Sequence, residues 1–208
     1  MKHSFVKFVA VLLIMSCACI MCGCFFLLPN YDPQMPVSSI LGSPLVQGKW
    51  AGDTFINEWS GFTVTLPTGF WVAEDDTKIQ GEYALDFLLY HNNYPDIVIS
   101  LAYFDVTQGE RREHAAEDYL RISGQALEGS PERDFFFNEY FEDAAIAGWE
   151  FKKMSGTFVN IEDKTHAAFN IDRHAHRWLG TMVVIVAMYA DENADIVNDF
   201  LSSIERTW

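Results

Sequence analysis

Residues Phe8 to Leu28 form one apolar run with no charge in it. Lys2 and Lys7 stand just before it, and all four cysteines, Cys17, Cys19, Cys22 and Cys24, lie inside it. A helix buried in a globular core is seldom apolar on every side over such a length. A positive segment followed by an apolar one is the layout of a secretory signal. The rest of the chain therefore folds outside the cytoplasm, and it does so without a cysteine. A domain of about 160 residues buries enough apolar surface to manage without disulfides. The lack of cysteine also excludes thiol catalysis, thiol redox chemistry and cysteine-based zinc sites.

The end of the run bears on how the chain is held. Met21-Cys22-Gly23-Cys24 resembles a bacterial lipobox, with Gly23 before the cleaved bond and Cys24 as the lipid acceptor. Ile14-Met15-Ser16-Cys17 makes Cys17 the alternative acceptor. The same run is long enough to span a bilayer as an uncleaved signal anchor, with its lysines on the inner side; a simply cleaved signal is the third possibility. The expected organisation is a signal peptide or anchor over 1–23, a tether over 24–49 and a folded domain over 50–208. Pro29, Pro33, Pro36 and Pro44, with Gly42 and Gly48, disfavour helix and ladder in the tether. The expected location is the extracytoplasmic face of a bacterial cell membrane.

Charge narrows the partners. The chain has 14 basic and 29 acidic residues, and removal of Lys2 and Lys7 with the signal leaves a net charge of about −17. Nucleic acid is excluded, because phosphate binding needs a positive surface. Adhesion of the domain to anionic headgroups is disfavoured for the same reason. The abundant Phe, Trp and Tyr fit an aromatic core between a sheet and helices.

Periodicity then gives the elements. Trp50 to Ile56 opens the domain; Phe62 to Leu66 alternates as a half-buried strand, Pro67-Thr68-Gly69 turns, and Phe70-Trp71-Val72 runs on extended. Asp75 to Glu82 reads as a loop or a single helical turn. Leu85 to His91 and Ile97 to Val106 read as strands around the turn Asn92 to Asp96, with Ile97, Ile99, Leu101 and Tyr103 on one face. A helix is expected over about 110–127, with Thr107 and Glu110 at capping-box spacing. Strands are expected over Phe135 to Phe141 and Ile146 to Thr157. Thr165 to Asp172 and Trp178 to Tyr189 read as a long hairpin whose tip is Arg173 to Arg177. A final helix is expected over about Glu192 to Ile204, with Asp191 as its N-cap. Short turns between strands imply a single antiparallel sheet with a helix on each face.

Gly61-Phe62-Thr63-Val64-Thr65-Leu66-Pro67-Thr68-Gly69-Phe70-Trp71 resembles the opening strand-turn-strand of the PsbP-like proteins, with Phe70 as one extra residue before Trp71. Met182 to Tyr189 followed by Asp191 to Ile204 is similar to their closing strand and helix. The chain also resembles small clostridial-type lipoproteins that pair a lipobox with a domain of this outline. This resemblance implies an α+β fold, an α/β/α sandwich around an antiparallel sheet, and a module that docks onto protein assemblies. It transfers no site residue.

No catalytic signature emerges. His174 and His176 share a strand face, and His166 across the hairpin offers a third nitrogen, but the commoner meaning of such a group is a solvated turn. His114 and Glu117 lack the second histidine of a zincin. Asp75/Asp76 and Glu142/Asp143 are adjacent and so point to opposite strand faces. No nucleophile elbow, phosphate loop or EF-hand is present. No metal and no cofactor is expected. Arg173, His174, His176 and Arg177 form a compact basic cluster in an acidic chain, suited to docking on an acidic partner loop. The expected function is a membrane-tethered binding or docking module with an unidentified protein partner. Its rivals are a small-ligand-binding lipoprotein, which would need a deep apolar pocket, and a metal-dependent enzyme built on the histidines.

Overall fold

The structure is a computed structural model that describes residues 47–73, 79–80, 83–106, 115–128, 134–159, 168–178 and 180–207. The apolar run, both lipobox cysteines, His114 and His166 lie outside the described residues. Among these residues no helix is long and apolar enough to cross a membrane.

The chain first forms three short strands, β1 (Lys49–Ala51), β2 (Thr54–Ile56) and β3 (Phe62–Thr65). Then follow β4 (Phe70–Val72), β5 (Ile79–Gln80), β6 (Tyr83–His91), β7 (Val98–Asp105) and helix α1 (Ala116–Glu128). After the helix come β8 (Asp134–Phe137), β9 (Glu142–Ile146), β10 (Trp149–Val159), β11 (Ala168–Trp178) and β12 (Thr181–Tyr189). A 3-10 turn (Asp191–Asn193), helix α2 (Ala194–Ser202) and β13 (Glu205–Arg206) close the described chain.

The main sheet runs β4-β6-β7-β12-β11-β10-β8, with β5 on β6 and β9 on β10, and its pairings are antiparallel. The fold is α+β. One face packs Leu120 and Leu127 of α1 against Met154, Phe158, Ile171, Ala175 and Val184. The other face packs Val197, Phe200 and Leu201 of α2, with Phe55 and Phe62, against Phe87, Leu101, Phe151 and Ile185. The alternation of β7 delivers this division: Ile99, Leu101 and Tyr103 serve the α2 side, Val98, Ala102 and Phe104 the α1 side. Rings fill the α2 side, with Phe55 edge-on to Phe87 at 5.1 Å and Phe200 tilted on Phe70 at 5.4 Å.

Five expectations are corrected. The chain makes two sheets, because β1, β2, β3 and β13 pair among themselves as a second layer over the α2 face. Arg173 to Arg177 is no hairpin tip: these residues are the second half of strand β11, which meets β12 across a tight turn at Gly180, with Arg173 opposite Val186 and Arg177 opposite Met182. Ile79-Gln80 is a strand against Ala84 and Tyr83. Asp191 is no N-cap, since α2 starts after Asn193 and Asp191 lies in the 3-10 turn, where its carboxylate accepts from the Asn170 amide. The stretch Phe135 to Phe141 also ends early, and β9 turns back through Ala147 and Gly148, both at positive φ, into β10. At the outer edge, the Phe137 N–H donates to Glu128 Oε1 at the end of α1 (2.9 Å).

Candidate docking surface

The register of β8, β10 and β11 builds one surface. Phe136 stands opposite Thr157, Thr157 opposite Asn170, and Ser155 opposite Asp172, so these side chains share the α2 face of the sheet. Nearer the α2 layer that face is apolar, with Phe151 buried against Ile185 and Phe62. Toward Phe136 it turns polar. Asp172 accepts from Ser155 Oγ (2.6 Å) and from the Tyr189 hydroxyl (2.7 Å), and Lys153 Nζ lies 3.1 Å from it. Burial alone would raise the Asp172 pKa, but Ser155, Tyr189 and Lys153 together outweigh burial and hold it below the usual aspartate value. The Tyr189 phenol is raised by its own burial and by the carboxylate it serves.

Lys153 reaches Glu142 on this face (3.7 Å), while Lys152 meets Asp143 and Glu117 on the opposite one (2.6 and 3.1 Å). The adjacent acids Glu142 and Asp143 thus serve opposite faces. Beyond the polar group stand Phe136, 60 % exposed, and Tyr140, 62 % exposed, the latter held to Asn138 Nδ2 through its hydroxyl (3.4 Å). Large aromatic side chains this open, beside a fixed ion pair, are what a protein partner uses as anchors. Ser155 gives its proton to the Asp172 carboxylate, which fixes the orientation of both side chains.

The basic cluster read from the sequence is divided. Arg173 points to the α1 face and is 3 % exposed; its guanidinium donates to Ser123 Oγ and to the Leu120 carbonyl (3.4 Å), and lies over the Phe137 ring. His174 faces the α2 side, is also 3 % exposed, and keeps Nδ1 without a hydrogen-bond partner. Burial pushes its imidazole down to about 4, although Asp172 pulls the other way, so it is neutral at physiological pH. Both side chains lie within the fold, with little of either open to solvent. His176 and Arg177 are half-buried near the end of β11.

His176 belongs to a second surface. Its ring stacks on Trp149 (4.5 Å), Trp149 meets Trp178 (5.4 Å), Trp178 meets Trp59 (5.0 Å), and the Arg206 guanidinium lies over Trp149 (5.0 Å). Trp59, Trp178 and Arg206 stay partly exposed. Periodicity does not reveal these residues, but each tryptophan stands within two positions of a turn glycine, Gly61, Gly148 or Gly180, which places it at a strand end.

No family model matches the chain, and a search of curated proteins finds no match. Among solved structures the chain is similar to the cyanobacterial PsbP protein CyanoP of Synechocystis sp. PCC 6803, at 12 % identity over 84 % of this chain and 99 % of that one, with a TM-score of 0.47. It is also similar to a protein of Bacteroides thetaiotaomicron, at 11 % identity over 76 % of this chain and 49 % of that one (TM-score 0.47). A third similarity is to LpqN, involved in cell envelope biogenesis of Mycobacterium tuberculosis, at 11 % identity over 69 % and 83 % (TM-score 0.42).

Proposed function

We propose that the chain is a lipoprotein whose domain stands on the extracytoplasmic side of the cell membrane and docks onto an envelope protein assembly. The observation that carries this reading is the pair of open aromatics, Phe136 and Tyr140, beside the Lys153–Asp172–Ser155 group. A ring-filled α2 side supports docking over the capture of a small ligand within the fold. Cys24 supplies the anchor. The docking that the sequence assigns to Arg173 and His174 passes to this surface, since both are buried.

Full-length protein is isolated from membranes with its cross-linked neighbours, as wild type and as Phe136→Ser/Tyr140→Ser. Both proteins should melt alike, because both side chains are mostly in solvent, and the double variant should lose a neighbour that wild type retains. Equal recovery of the same neighbours refutes this surface. Mass spectrometry of the same sample reads the N-terminus, where an unmodified Met1 start refutes the lipid anchor.

A further inference from the structure

The two ends of the folded unit lie at one end of the main sheet. Gln47 Nε2 donates to the Leu85 carbonyl (2.9 Å) near the start of β6, and the Thr207 N–H donates to the Gly61 carbonyl (2.9 Å). The Trp59–Trp178–Trp149 cluster stands at that same end, where β10 begins and β11 turns into β12. Charge distinguishes it from the opposite end. There the β6–β7 turn and the start of α2 bring together Asp96, Asp191, Glu192 and Asp195. At the tryptophan end basic and acidic residues mix, with Arg177 and Arg206 among Glu58, Asp105, Glu150 and Glu205.

Twenty-two residues separate Cys24 from Gln47. They reach at most about 80 Å fully extended. They join the fold at Gln47, which stands at the tryptophan end.

We infer that the tryptophan end is the face turned to the bilayer, with Trp59 and Trp178 in its headgroup layer. Indole carries an apolar body and a polar N–H, and this combination settles at the membrane–water boundary. The acidic end, repelled by anionic headgroups, points to solvent. This inference rests on the anchored reading above, and it leaves the lateral surface of Phe136 and Tyr140 free to meet a neighbour in the same membrane.

The test uses full-length protein reconstituted into phosphatidylcholine–phosphatidylglycerol vesicles that carry brominated acyl chains. Flotation with the vesicles reports anchoring, and bromine quenching of indole fluorescence reports which tryptophan lies in the lipid. Trp71 is the internal control: it is 40 % exposed but lies on β4, opposite Tyr90 near the far end of the sheet. Quenching should fall in Trp59→Phe and in Trp178→Phe, should fall further in the double variant, and should be unchanged in Trp71→Phe. Flotation without quenching, or quenching lost only with Trp71, overturns the orientation while leaving the anchor in place. Failure to float overturns the anchor and the orientation with it.

Discussion

Gly48 donates its backbone N–H to Asp86 Oδ1 at 2.8 Å, and this bond fastens the start of the fold to the main sheet. Asp86 occupies the bulge in β6, where the register against β7 slips between Leu85 and Phe87. Its other oxygen accepts from Asn57 Nδ2 (2.7 Å), and the nearby Tyr103 hydroxyl bonds Ser60 Oγ (2.9 Å). Only glycine fits at position 48, because a Cβ there would overlap the Phe55 ring and lie 2.9 Å from Asn57 Cβ. Burial raises the Asp86 carboxyl to about 6, against the lowering pull of the Gly48 N–H, Asn57 and Tyr103.

Asp86 and His174 therefore respond to acid in opposite senses. The folded Asp86 value lies above the unfolded 3.8, so its ionisation destabilises the fold near neutrality and stability returns as the pH falls through 6 toward 3.8. The folded His174 value of about 4 lies below the unfolded 6.5, so stability is lost as the pH falls from 6.5 toward 4. Each shift corresponds to about 3 kcal/mol, and the two offset each other. Urea unfolding across about pH 4 to 7 should show that Asp86→Asn loses stability on acidification relative to wild type, while His174→Leu gains it. Parallel curves for all three proteins would contradict this assignment.

Phe200 is 1 % exposed and packs on Phe70 and Phe87. Phe200→Asp places an unpaired carboxylate among these rings and should cost about 4 kcal/mol or more. A melting temperature within a degree or two of wild type would show that α2 does not pack this way.

The β9–β10 turn offers a gain. Ala147 sits at φ 52 and Gly148 at φ 76, the positive pair that a two-residue type I′ turn requires. Alanine is strained there, whereas asparagine tolerates the conformation. Ala147→Asn should stabilise by about 0.5–1 kcal/mol, read as a higher urea midpoint with an unchanged slope.

Arg173 and Arg177 should separate cleanly. Arg173→Ala strips Ser123 Oγ and the Leu120 carbonyl of a buried donor and should cost about 2 kcal/mol or more. Arg177→Ala, at a half-buried position, should cost much less. Comparable losses in urea titrations would mean that the contacts to Ser123 and the Leu120 carbonyl do not set Arg173 apart.

These contrasts show what local pattern conveys. The faces of β7 were legible because its apolar side chains alternate and because strand period is a property of a few consecutive residues. The final helix was legible for a similar reason, since Val197, Phe200 and Leu201 recur at helical spacing. The Arg173–Arg177 segment misled because charge density was read as solvent exposure, whereas Ser123 and the Leu120 carbonyl, some 50 residues earlier, supply the partners that let an arginine be buried. The second sheet was hidden for a similar reason: β13 pairs with β3, so Arg206 meets Phe62 across most of the domain. The exposure of Phe136 and Tyr140 was not legible, because an exposed aromatic has the same local signature as a buried one.

The bond from the Phe137 N–H to Glu128 has a consequence for crowding. Copies of a chain at high concentration meet edge to edge, and an open strand edge is a template for the next copy. By placing a carboxylate where a neighbouring strand would offer its carbonyl, α1 occupies that edge with its own side chain and adds a negative charge to repel the approach. Neighbours can then slide past one another without zipping into a continuous ribbon.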